Sequence, residues 1–237
     1  MKNMLKAERY RFLHSGVLWT VIFVLLLGSF IAVLNGSYGG AGIALLNVFK
    51  DIAVLLLGSS VYGTIILSED FSNGLLQHYI AGGYKRAFII YAKFVYYILG
   101  CCILLFVYPL LSIALTVAVR GGKISYMSLL FDFIVLFGKS LPLYLGIMSL
   151  FFLVAILFQN APIAMAISVA LSIFLTVFPN MFYGNSVSFL RFTPMIQLSS
   201  IHTGPISGEY LITAFISLCL LGFCLGGSVL KFNRDQF

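Results

Sequence analysis

The sequence predicts an all-α membrane protein with six transmembrane helices, on three observations. Only 9% of the 237 residues are charged and 61% are hydrophobic, where a soluble domain carries about 25% charged residues. Apolar runs long enough to cross ~30 Å of hydrocarbon, about 20 residues as helix, recur along the chain, and the mean hydropathy is +1.08. These runs are continuous, not alternating as a β-barrel strand must be. Third, positive charge is unevenly placed. Of fourteen Lys and Arg, nine fall in segments assigned to the inner side: Lys2, Lys6, Arg9, Arg11, Lys85, Arg86, Lys93, Lys231 and Arg234. Lys50, Arg120, Lys123 and Arg191 fall outside and Lys139 at or in a span. That bias toward the cytoplasm accounts for the net charge of +7 without a nucleic-acid partner.

Taken in order, residues 1–16 are basic and moderately amphipathic, and are expected to form an interfacial helix on the inner leaflet. Met1, Met4, Leu5 and Phe12 share an arc, and Glu8 interrupts it. The first span is Val17 to Leu34. It is longer than a signal-peptide apolar region, which has roughly 7–15 residues, and so reads as a retained helix. A short outer loop from Asn35 leads toward a second span from about Val48 to Leu67. The third span runs from Lys93 to about Val119, with a kink expected at Pro109. Ile124 to Phe158 exceeds one upright span and divides at Gly138 into an outer or tilted part and a crossing part. Gln159-Asn160 is a tight inner turn, and Pro162 opens the fifth span at a position a helix tolerates. Residues 179–209 form an outer segment too apolar for a free loop, with one or two short helices expected to dip into the outer leaflet. Tyr210 to Leu230 is the sixth span, which places both termini inside.

Between the second and third spans lies the longest polar interruption on the inner side, Ser68 to Arg86. It reads as a short capped helix, with Ser68 as N-cap and Glu69 and Asp70 in the first turn, where the helix dipole favours anions. Phe71, Leu75, Leu76, Tyr79 and Ile80 share one face, and Gly82-Gly83 ends the helix beside Lys85-Arg86.

Catalytic chemistry finds little footing. Gly138-Lys139-Ser140 resembles the tail of a phosphate-binding loop, but Phe133 stands where the leading glycine is needed. Gly58-Ser59-Ser60 has no histidine in any span to act as base, since His14, His78 and His202 lie between spans. Cys101, Cys102, Cys219 and Cys224 match no metal or redox spacing and read as small hydrophobes. Neither enzyme activity nor a bound cofactor or metal is expected of the chain alone. Asp132 and Lys139 read either as an ion relay or, the favoured alternative, as interfacial charges with Lys139 reaching headgroups. Small residues recur at helical spacing as Ala164, Ser168 and Ser172, Ala166 and Ala170, Ser59 and Gly63, and Gly222 and Gly226. Such lines permit close helix approach, within one chain or, for the fifth span, between protomers.

Glu69-Asp70-Phe71, Gly74-Leu75-Leu76, Ile80, Gly82-Gly83 and Lys85-Arg86 together resemble the cytoplasmic loop of type-2 ABC exporter permeases. The architecture agrees: a basic helix before span 1, a tight turn between spans 4 and 5, a partly apolar outer segment before span 6. The short permeases without a fused ATPase are most similar, including bacteriocin-immunity permeases and exporters of amphipathic toxins such as phenol-soluble modulins. The resemblance implies a multi-pass protein of the bacterial cell membrane, in a complex of two permease chains with two separate ABC ATPase chains. Those ATPases would bind ATP and Mg, and the cargo would be hydrophobic or amphipathic peptides. Glu69, Asp70, Phe71, Gly74, Leu75, Leu76, Tyr79 and Ile80 would then couple to the ATPase, while Lys85 and Arg86 anchor at the inner leaflet. Extrusion of drugs, lipids or lantibiotics fits the same spans. An ion-coupled carrier and a structural or assembly factor are the readings from other classes, and a membrane-lying loop without a partner is the alternative for Ser68 to Arg86.

Overall fold

The computed structural model describes residues 2–34, 41–50, 52–72, 74–120, 126–182 and 192–234. These hold ten helices and no strand: α1 Lys2–His14, α2 Gly16–Leu34, α3 Ala41–Lys50, α4 Ile52–Ser72, α5 Leu75–Ala81, α6 Arg86–Arg120, α7 Tyr126–Leu157, α8 Ala161–Phe182, α9 Pro194–Ser199 and α10 Gly208–Arg234. Six of them, α2, α4, α6, α7, α8 and α10, contain stretches long and apolar enough to cross a membrane.

The bundle is built around α4 and α7. In their apolar stretches 56% and 61% of residues are buried, against 17% in α8 and 22% in α10. α8 packs chiefly on α4, and α10 chiefly on α7. Where α4 meets α6, two tyrosines and two glycines interlock. The Tyr62 ring of α4 occupies the space a side chain at Gly100 would need, and the Tyr97 ring of α6 does the same over Gly63. Their rings lie 6.3 Å apart, nearly parallel, and the Tyr97 hydroxyl donates to the Met148 carbonyl of α7 at 3.0 Å. α7 and α10 approach as closely through Gly146, where an added Cβ would come within 2.7 Å of Ser217 Cβ.

Several expectations change. Ile124 to Phe158 does not divide at Gly138: α7 runs unbroken across it, with Pro142 inside. α7 has 32 residues. A rise of about 1.5 Å per residue makes it roughly 48 Å long, so one helix both crosses the hydrocarbon and projects beyond it. The separate helix α3 was not anticipated; it buries Leu45, Val48 and Phe49 and packs on α6 and α7. Of the outer segment, residues 183–191 lie outside the described residues, and α9 supplies a short buried helix through Met195, Ile196 and Leu198. Gly222 and Gly226 bring no helix close among the described residues, since a Cβ at either would meet nothing within 4 Å there. Pro162 lies in the first turn of α8, as expected, and Pro109 lies inside α6.

Candidate functional site

The Ser68–Arg86 stretch is built differently from its sequence reading. Ser68 is not an N-cap: α4 continues through it to Ser72, and its hydroxyl donates to the Ile65 carbonyl at 3.1 Å. The separate helix begins only at Leu75, after Gly74 at φ 65°. Glu69 and Asp70 therefore sit in the last turn of α4 rather than the first turn of α5. A helix C-terminus carries partial negative charge and disfavours anions there, and the last turn of α4 has no basic residue to offset them. The compensating cations come from other helices.

Arg11 of α1 pairs with Asp70 Oδ1, and Lys93 of α6 contacts Asp70 Oδ2 at 2.6 Å. The same Lys93 ammonium donates to Glu8 Oε1 of α1 at 2.6 Å. Tyr79 of α5 donates its hydroxyl to that Glu8 oxygen at 3.1 Å, and its ring lies under the Lys93 ammonium, 5.7 Å from the centroid. Burial, followed by the Glu8 carboxylate, pushes the Tyr79 hydroxyl above its ordinary range, so it remains a donor. Asp70, Lys93 and Glu8 are 1%, 4% and 5% exposed. Two anions and two cations balance, which a low-dielectric setting demands of buried charge. Glu8 thus has a definite partner. The residue that interrupts the apolar arc of α1 is the one that fastens α1 to α6, in place of a helix lying on lipid alone.

The far end of α5 is closed by a Schellman turn. The Gly83 amide donates to the Ile80 carbonyl at 3.0 Å and the Tyr84 amide to the Tyr79 carbonyl at 3.2 Å. Gly83 adopts φ +80°. The Tyr79 and Tyr84 rings meet edge to face at 6.1 Å. Gly83 is the glycine the turn needs. Gly82 has an ordinary negative φ of −74°.

The residues expected to couple to a partner are therefore not equivalent. Asp70 and Leu76 are buried within the chain. Phe71, Tyr79 and Ile80 are half-buried and pack on the chain's own core, so the apolar face of α5 is covered from inside. Gly74 and Leu75 are half-buried, while Glu69, His78, Gly82, Gly83 and Lys85 are exposed. Glu69 also lies 3.9 Å from Arg11. Arg86 is half-buried and reaches the Phe232 carbonyl at 3.5 Å, tying the start of α6 to the end of α10. Both ends of the described chain consequently lie at the α5 end of the bundle.

Ala164, Ser168 and Ser172 are wholly buried in the single chain. Their line serves packing within the protomer, and a seam between protomers would have to use another face of α8. Lys139 lies near the opposite end, donating to the carbonyls of His202 and Gly204, and no ion pair joins it to Asp132 among the described residues. No three of His, Cys, Asp and Glu converge as metal ligands among the described residues. The separate charges at Glu8 and Lys93 were each visible in the sequence, but their pairing across 85 positions carries no local signal. In comparison with known proteins, no family model matches the chain, and no curated protein matches it significantly.

Proposed function

We propose that the chain is the membrane-spanning subunit of an ATP-driven exporter that moves hydrophobic or amphipathic peptides out of the cell, powered by a separate ATPase. The observation that carries this reading is the mount of the α4–α5–α6 turn. Force from a motor would arrive as displacement of α5. Mobile loops would dissipate it, whereas Asp70, Lys93, Glu8 and Tyr79 tie the turn to α1, α4 and α6 together. Breaking such a buried pair by removing one partner costs about 3–5 kcal/mol, so the assembly moves as a block.

In this reading Glu69, His78, Gly82, Gly83 and Lys85 form the rim that touches the ATPase, bordered by Gly74 and Leu75. Asp70, Leu76, Phe71, Tyr79 and Ile80 hold the rim in place from within. The α5 end faces the cytoplasm, since Lys85, Lys231 and Arg234 cluster on the segments that meet there and positive charge is retained inside. Two such chains, or one with a paralogue, would work with two ATPase chains that bind ATP and Mg. The peptide cargo rests on the resemblance to toxin-exporting permeases and on a chain with 23 Phe and 7 Met, side chains suited to varied apolar ligands.

The test is to co-express the full chain with each ATPase encoded beside it and purify through a tag on the permease. ATP hydrolysis should rise when an amphipathic helical peptide is added. His78→Glu with Lys85→Glu, both at exposed positions, should abolish co-purification while the permease melts unchanged. Undiminished co-purification would remove the docking role. Docking that survives without peptide-stimulated hydrolysis would remove the cargo class alone.

A further inference from the structure

Away from the charge cluster, a cleft of about 460 Å³ opens between α7, α9 and the start of α10. That volume lies within the ~300–1,000 Å³ typical of small-ligand sites. Its walls include Ile201, Pro205 and Ile206, and its charged groups are Lys139 and Glu209. Lys139 Nζ donates to the His202 carbonyl at 2.9 Å and the Gly204 carbonyl at 2.5 Å. An ammonium has three donors, so one remains. Glu209 stands exposed in the first turn of α10, and neither charge enters an ion pair among the described residues. The cleft thus offers one cation and one anion, not neutralised by each other, between walls that mix apolar Ile201, Pro205 and Ile206 with polar Gln197, Ser200 and Ser207.

The position of the cleft narrows the ligand. Lys139 is eighteen residues before Leu157, where α7 ends. At the helical rise that is about 27 Å, close to the thickness of hydrocarbon. The cleft therefore sits at the level of the opposite headgroup layer. Exposed Leu211, Phe215 and Leu218 continue from it down one stripe of α10 at i, i+4 and i+7. We propose that the cleft binds a zwitterionic aminophospholipid, its phosphate at Lys139, its primary amine at Glu209, and an acyl chain along Leu211, Phe215 and Leu218. This site is independent of the transport reading and of any ATPase.

The test is native mass spectrometry of the purified full chain, given equal amounts of phosphatidylethanolamine and phosphatidylglycerol. The wild type should retain the ethanolamine lipid in preference by about tenfold, the ratio expected of one charge-assisted hydrogen bond. Glu209→Gln should bring that ratio to about one with phosphatidylglycerol retention unchanged. Lys139→Gln should lower both lipids, but it also releases the His202–Gly204 segment, so the Glu209 variant decides. Equal retention by the wild type, or a preference that survives Glu209→Gln, overturns the proposal. Competition by soluble glycerophosphoethanolamine as strong as by the whole lipid overturns the membrane source and leaves a soluble zwitterion as the ligand.

Discussion

The two ends of the bundle use buried or half-buried charge in opposite ways. At the α5 end, four charges from three helices meet, and a hydroxyl from a fourth completes the set. At the α9 end, one lysine bonds two backbone carbonyls of a single segment, and its own carbonyl accepts the Tyr210 hydroxyl at 2.9 Å. A network of side chains fixes the mutual orientation of whole helices, because no member can leave without stranding another charge. A lysine on carbonyls restrains one loop and leaves the volume beside it open. The first end is built to move as one piece and the second to keep a space.

The sharpest way to break this comparison is to remove Lys93. Lys93→Met strands Glu8, leaves Asp70 with Arg11 alone, and should cost about 3–5 kcal/mol, seen as a large drop in melting temperature in detergent. Glu8→Gln added to it removes one stranded charge and should recover part of the loss. A Lys93→Met protein that melts like the wild type would end the idea of a charge-locked block. Next in size is the tyrosine–glycine interlock beneath the cluster. Gly100→Ala or Gly63→Ala drives a methyl into a tyrosine ring, whereas Gly222→Ala meets open space. The first two should cost about 1–3 kcal/mol and the third should be close to neutral. Equal effects at Gly100 and Gly222 would show that α4 and α6 are not in close register. Smaller again, Tyr79→Phe deletes the hydroxyl that joins α5 to Glu8 and should cost about 1 kcal/mol. Gly83→Ala forces a side chain onto a left-handed backbone and should cost about 1 kcal/mol, with Gly82→Ala milder. Comparing melts of the two glycine variants tests which of them ends α5.

Features set by composition and local pattern were legible in the sequence. Six apolar stretches, the tight turn at Gln159-Asn160, the end of α5 at Gly82-Gly83 and the short apolar helix before the last span all follow from hydropathy and turn chemistry. The errors arose where a local rule met a longer-range one. Ser68 followed by acidic residues satisfies an N-cap pattern, yet cations from α1 and α6 permit the acids at the end of α4 instead. Gly138 suggested a break, but a lone glycine does not end a helix whose neighbours keep packing across it, and Leu136 and Ser140 are both fully buried. Phe71 and Leu76 carry the same apolar signal as any docking helix. Hydropathy cannot say whether the cover comes from the chain itself or from another protein.

The charge cluster also dictates an order of assembly during synthesis. Glu8 and Arg11 leave the ribosome well before Asp70, and Lys93 emerges later still, at the head of the third long helix. Until that lysine arrives, the cluster's two carboxylates, Glu8 and Asp70, have only the Arg11 guanidinium between them. The opening helix therefore cannot be fastened to α6 while only α2 to α5 have been made. It takes its final seat only when α6 begins, so the earliest segment made is among the last to be fixed.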